Sequence, residues 1–160
     1  MANTDLLELA DRVDKLEGPF RETDLAIMCA LDLRPDWLAR SQGHMWIDGS
    51  GIHPVIRWAD DAIGEGLGNP SVDDGPGFSA PLDAAMQLVP AGWTIERSGR
   101  HNLDPDPFAS FELWQYRRNA GGEWRHGSGE VAVKANGTTP ALALTACALR
   151  ARAEIERLSE

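Results

Sequence analysis

Apolar residues recur every three to four positions at the start of the chain. Leu6, Leu9, Val13 and Leu16 keep that spacing, and Leu7 and Ala10 widen the stripe. The pattern predicts an amphipathic helix over residues 5–17. Thr4 stands where a cap is needed, Asp5 and Glu8 suit the positive end of the helix dipole, and Gly18-Pro19 stops the run. A second helix is predicted from Pro19 or Arg21 to Leu31, so residues 1–33 read as an αα-hairpin. After Arg34-Pro35 the period changes. Met45-Trp46-Ile47 and Ile52–Trp58 read as two strands joined by Asp48-Gly49-Ser50-Gly51, a strong hairpin signal. Pro54 inside the second run suggests an edge strand.

Residues 79–158 carry the clearest order: helix, three strands, helix. The first helix opens on Ser79-Ala80-Pro81-Leu82 and the last on Thr138-Thr139-Pro140-Ala141. Each has a small hydroxyl residue for a cap and Pro near the first helical position, where its missing N–H costs nothing. Between them Trp93–Arg97, Phe108–Arg118 and Glu123–Ala135 read as strands, with Gly127 and Gly129 marking a bulge. The final helix is apolar nearly all round, which predicts the most buried element. Its Leu142, Leu144, Ala148, Leu149 and Ile155 are expected against Val131, Val133, Leu113 or Phe111. The fold class is α+β: an N-terminal αα-hairpin and β-hairpin, then an α-β-β-β-α unit whose antiparallel sheet packs with helices. At 160 residues one domain over 1–160 is expected.

Residues 59–78 fit neither period. They hold five glycines, two prolines, five acidic residues and no basic one, and read as a loop. The charge of the chain follows the same division. Residues 1–83 hold 16 acidic and 6 basic side chains, a net of −10, whereas residues 84–160 hold 9 of each. Such a field repels a nucleic-acid backbone and favours basic partners; the plainer reading is that it keeps the protein soluble. Trp93, Trp114 and Trp124 are expected in the core of the sheet. Trp37, Trp46 and Trp58 flank the acidic loop, either as interface anchors or as a small core beneath it.

Candidate chemistry is sparse. No paired ligand spacing for zinc occurs among His44, His53, His101 and His126, although His44 and His53 stand on the two hairpin arms with Asp48 near the turn. Asp60-Asp61 and Asp73-Asp74 offer oxygen ligands for a divalent cation, but without the order of an EF-hand. Gly64-Glu65-Gly66-Leu67-Gly68 lacks the lysine of a phosphate loop, and Glu65 would repel phosphate. Cys29 and Cys147 sit in apolar helical runs, as buried thiols or as a disulfide pair. The order α-β-β-β-α is shared with double-stranded RNA-binding domains, yet the last helix opens without Lys or Arg. No catalytic residue, metal or cofactor is expected. No run of 18 uncharged apolar residues occurs, so no membrane span is expected, and the polar, acidic start argues against a secretory signal.

The run from Phe78-Ser79-Ala80-Pro81-Leu82-Asp83-Ala84-Ala85 through Leu88-Val89-Pro90-Ala91-Gly92-Trp93 is one of several with a family likeness. Together with Thr138-Thr139-Pro140-Ala141-Leu142-Ala143-Leu144 and Ala148-Leu149-Arg150-Ala151, it resembles the phage ABA-sandwich domain family. These are small phage and prophage proteins without an assigned activity. Leu7-Glu8-Leu9-Ala10 with Leu16-Glu17-Gly18-Pro19 also looks like members of that group. The likeness rests on structural Pro, Gly and Trp positions, so it carries over no catalytic residue, and segment 59–78 is longer than the family suggests. It implies an accessory protein in the cytoplasm of a bacterial host cell. The reading that follows is a non-enzymatic protein that binds a basic protein partner through Trp46, Asp48, Trp58, Asp60, Asp61, Glu65, Asp73 and Asp74, with no direct binding of nucleic acid. Its sharper form is an acidic inhibitor of a host nucleic-acid-binding defence system. The alternative is a metal-assisted hydrolase or nucleotide-binding enzyme using residues 59–78 with His44 or His53.

Overall fold

The computed structural model describes residues 3–33, 43–48, 55–60, 64–66, 77–101, 108–115, 117–118, 124–125 and 132–159. In chain order the elements are α1 (Asn3–Asp14), α2 (Arg21–Ala30), β1 (Gly43–Asp48), β2 (Val55–Asp60), β3 (Gly64–Gly66) and α3 (Leu82–Met86). Then come β4 (Trp93–His101), β5 (Phe108–Gln115), β6 (Arg117–Arg118), β7 (Trp124–Arg125), β8 (Ala132–Gly137) and α4 (Pro140–Ser159). The class is α+β, with helices on an antiparallel sheet, as the patterning predicts. The chain groups into two compact units, residues 1–19 with 78–160, and residues 20–77. This division cuts through the expected helical pair of 1–33: α1 belongs to the first unit and α2 to the second.

In the first unit the sheet order is β4-β5-β8, antiparallel throughout. One face carries Ala109, Phe111 and Leu113 of β5 with Ala135 of β8 and Trp93 of β4, all buried. Helix α4 lies on this face, and α1 and α3 pack on α4. Nine consecutive residues of α4, Ala141–Leu149, are buried. That is the all-round burial expected of a helix with no polar face over its first half. Leu6, Ala10 and Val13 bring the apolar stripe of α1 against it, and Phe78, Ala84, Ala85 and Leu88 close the third side. Ile155 is only half-buried. Val131 lies outside the described residues.

The start of α4 shows how sequence and packing agree. Thr139 Oγ1 accepts a hydrogen bond from the Leu142 amide at 3.2 Å, three residues on, with Pro140 at the first helical position. One residue earlier, Thr138 Oγ1 donates to the Leu16 carbonyl at 3.0 Å and ties the end of the α1 segment to the turn. Gly137 is required there. A Cβ at that position would stand 2.6 Å from the backbone nitrogen of Ala143. The expected cap of α3 is different: Pro81 itself is the capping residue, without a side-chain hydrogen bond, and Ser79 is buried. Thr4 lies inside α1, which begins at Asn3 and ends at Asp14 rather than at Gly18.

Two strands differ from their expected extents. Strand β4 runs to His101, so Ser98–His101 is paired and not loop, and its bulge falls at Glu96, which is skipped between Ile95↔Leu113 and Arg97↔Glu112. The bulge expected at Gly127 and Gly129 lies outside the described residues. The run 108–118 divides into β5 and β6, and 123–135 into β7 and β8, with β6 and β7 forming a ribbon of their own. Trp114 is a correction. It stands opposite Thr94 and Ala132, on the face away from α4, is half-buried, and donates from Nε1 to Glu112 Oε1 at 2.7 Å. Alternation places it there once Leu113 faces the helix.

In the second unit β1, β2 and β3 form an antiparallel sheet in that order, and α2 packs beside β1. Its buried apolar residues include Leu25, Ile27 and Met28. The two arms pair as an antiparallel hairpin, but Asp48, expected in the turn, ends β1 opposite Val55, and β2 begins at Val55 rather than Ile52; the expected turn residues Gly49-Ser50-Gly51 lie outside the described residues. However, β2 is central, not an edge. The strand begins at Val55, one residue after Pro54, so the ladder loses no donor to proline. Within the segment read as a loop, Asp60 ends β2 and Gly64–Gly66 supplies the third strand.

Candidate functional site

Five of the eight expected partner-binding residues lie in the described strands of the second unit. Asp61, Asp73 and Asp74 lie outside the described residues, as do Trp37 and His53. The register decides how the five are shared. Directly opposed residues of an antiparallel pair stand on one face. Trp46 opposes Arg57, Asp48 opposes Val55, and Ala59 opposes both His44 and Glu65. Trp46, Asp48 and Glu65 therefore hold positions on one face. Trp58 opposes Met45 and Gly66, and Asp60 opposes Gly43 and Gly64, so both hold positions on the other. The set is divided between the two faces of the sheet.

Asp48 is also engaged. Its Oδ2 accepts a hydrogen bond from Arg57 Nε in an ion pair between two partly buried side chains. This pair removes one carboxylate from the free acidic set and fixes the hairpin across its register. Sequence reasoning missed it, although a signal was present: Arg57 is the one Lys or Arg between residues 41 and 96. A single cation amid so many carboxylates is drawn to whichever of them the strand register brings near.

The charge divides less sharply between the units than between the halves of the chain. Residues 20–77 carry ten acidic and four basic side chains, a net of −6, and the remaining 102 residues carry 15 and 11, a net of −4. In the first unit Asp11 and Asp14 are engaged internally. Arg150 donates to Asp14 Oδ2 at 2.5 Å, to Asp11 Oδ1 at 2.8 Å and to the Lys134 carbonyl at 3.1 Å, joining α4 to α1 and β8. Burial works against the Arg150 charge, but its hydrogen bonds to Asp14 and Asp11 outweigh it and hold the guanidinium above its ordinary range.

The cysteines are both free thiols. Burial, helped by Asp32, pushes the Cys29 thiol up to about 11. Burial pushes the Cys147 thiol up to about 12, against a smaller pull from backbone hydrogen bonds and Arg150. Cys147 Sγ lies 3.3 Å from the Val133 carbonyl and 3.5 Å from that of Phe111, inside the helix–sheet layer. Both sulfurs stay protonated at neutral pH, which is the state of a packing residue and not of a nucleophile. Among the described residues no group of three or more His, Cys, Asp or Glu side chains is placed to hold a metal ion. No described helix is long and apolar enough to cross a membrane. Comparisons with family models, with curated proteins and with solved structures each return no match to this chain.

Proposed function

We propose that this protein acts by binding a basic protein partner through the acidic unit of residues 20–77. The observation that carries the reading is the net charge of −6 on those 58 residues, with one Arg from position 41 to the end of the unit and that one already paired to Asp48. Such a field accelerates encounter with a positive surface and repels a phosphate backbone. The resemblance of the first unit to the phage ABA-sandwich domain family supports the wider reading of a phage or prophage accessory protein in a bacterial cell. In the sharper form, the acidic unit occupies the nucleic-acid site of a host defence protein.

The test is affinity capture from bacterial lysate, with identification of the partner and reconstitution from the two purified proteins. Capture should be lost at about 0.5 M salt, where screening falls to a few ångströms. It should also be weakened when Asp60, Asp61, Asp73 and Asp74 are all changed to Asn, with the melting temperature nearly fixed. A reconstituted complex indifferent to both salt and the quadruple variant would overturn the proposal.

A further inference from the structure

The sheet of the first unit has a second face, turned away from α4. Residues opposed in an antiparallel pair share a face, so the register assigns it row by row. Thr94, Trp114 and Ala132 form one row, Arg97, Glu112 and Lys134 the next, and Gly99, Ser110 and Asn136 a third. The bulge decides one position: without it Glu96, not Arg97, would stand opposite Glu112. All six residues contributed by the outer strands β4 and β8 are exposed, and the three from the central β5 are half-buried. The face is therefore open to solvent across its width.

Trp114 is the one aromatic residue in these rows. The residues on either side of it, Thr94 and Ala132, are short and exposed. Its Nε1 donates to Glu112 Oε1 at 2.7 Å, which fixes the indole along the strand and engages the one carboxylate of the face. Arg97 and Lys134 flank Glu112, yet neither side chain forms an ion pair or hydrogen bond among the described residues. Strands about 4.8 Å apart put these two positions about 10 Å from each other, and Trp114 stands about 7 Å further along β5. Seven of the unit's fifteen acidic residues lie in α1, α3 and α4, in the helix layer behind the sheet.

A flat, open sheet with a fixed ring and unpaired cations within a nucleotide's reach of it is the platform on which single strands bind. Bases stack on the ring and phosphates meet the cations. A duplex keeps its bases inside the stack and cannot use the ring. An acidic protein segment would meet the cations and leave the ring without a role. We infer that this face binds single-stranded nucleic acid, with a base on Trp114 and phosphates on Arg97 and Lys134. The expectation of no such contact rests on the acidic first half of the chain. This face belongs wholly to residues 84–160, whose charges balance.

The probe is a fluorescent oligothymidine of about twelve nucleotides, read by anisotropy on the full chain at roughly 20–200 mM salt. Two phosphate contacts on a single strand predict a log–log salt slope of about −1.4, at about −0.7 for each. Arg97→Gln and Lys134→Gln should each weaken binding and bring the slope to about −0.7. Trp114→Ala should weaken it about tenfold with the slope unchanged, and Trp114→Phe should restore most of the loss. A duplex of the same length should bind more weakly than the single strand. The inference is overturned by absence of binding at the lowest salt, by a slope that neither cation variant changes, or by a duplex that binds as well. A polyglutamate peptide that displaces the oligonucleotide at equal concentration would overturn it too, and make the occupant an acidic protein. Arg97 and Lys134 are exposed, so their variants keep the test decisive even if Trp114→Ala fails to fold.

Discussion

At the scale of single residues, three glycines with ordinary neighbours in the sequence have different physical roles. Gly18→Ala should stabilise the protein by about 0.4–1 kcal/mol, since it lowers the entropy of the unfolded chain and an added Cβ meets nothing within 4 Å. Gly137→Ala gains the same entropy but puts its Cβ 2.6 Å from the Ala143 backbone nitrogen. The overpacking cost, about 1–3 kcal/mol, wins there. Gly92, with φ of +83°, is strained by any side chain in spite of its open surroundings. Urea unfolding of the first two variants checks the sign, and a Gly137→Ala protein as stable as the parent would mean that α4 does not cross the end of β8 so closely. The role of Gly137 was not legible in the sequence, because the decisive atom is contributed by a residue on another element. Cys147 carries a pH prediction. Its thiol is raised from an ordinary value of 9.0 to about 12 in the folded protein. The unfolded chain can therefore ionise it at a pH where the native state cannot. Its contribution is complete below about pH 9 and is lost as pH rises towards about 12. Cys147→Ala should flatten the alkaline fall in stability, measured by urea midpoints from pH 8 to 11, and an unchanged slope would place the burial effect elsewhere.

At the scale of elements, legibility followed how local each signal was. Helix α4 was readable because its cap, its Pro140 and its apolar composition all lie within a few residues of one another. The two arms β1 and β2 were readable from their short apolar runs, but Asp48, read as part of the turn, is a paired strand residue. Strand β3 was not: Gly-Glu-Gly has no strand preference, and it pairs because the central β2 offers an edge. Trp114 was misplaced because a tryptophan in a strand says nothing about which face it takes until Leu113 is known to face α4. The docking of α1 was also hidden, since its polar link joins residues 139 apart. Arg150 bridges Asp11 and Asp14 with 21% of its side chain exposed, and Asp14 retains 28%. That exposure puts the pair between surface ion pairs, about 0–1 kcal/mol, and fully buried ones, about 3–5 kcal/mol when broken. Arg150→Met should cost about 1–2 kcal/mol, and a double-mutant cycle with Asp14→Asn should show coupling between the two. Additive losses would mean that the ion pair does not help to hold α1, leaving Leu6, Ala10, Val13 and the Thr138–Leu16 hydrogen bond to do so.

At the scale of the whole molecule, the second unit is an insertion in the first. Its sequence lies between Pro19 and Phe78, and the two ends of the interrupted unit are held by the start of α4 and the turn just before it. The Leu16 carbonyl accepts from Thr138 Oγ1 at 3.0 Å, and the Phe78 carbonyl accepts from Thr145 Oγ1 at 2.9 Å. Five helical rises of 1.5 Å, about 7.5 Å, and two turn residues separate those anchors, so they stand no more than about 15 Å apart. A flexible linker of about eight Gly and Ser residues has a mean span of about 15 Å, enough to rejoin them. Replacing residues 20–77 by such a linker should thus leave α1, α3, α4 and the β4-β5-β8 sheet folded. The core residues that hold this unit, from Leu6 to Ala153, all belong to the retained segments. The variant should melt in one cooperative transition and keep slow amide exchange along Ala141–Leu149. It should also lose six of the ten net negative charges. If the acidic unit is the binding surface, the shortened protein keeps its fold and no longer captures the basic partner. A shortened chain that cannot fold would show that the insertion is part of the core. One that folds and still captures the basic partner would move the binding surface to the first unit.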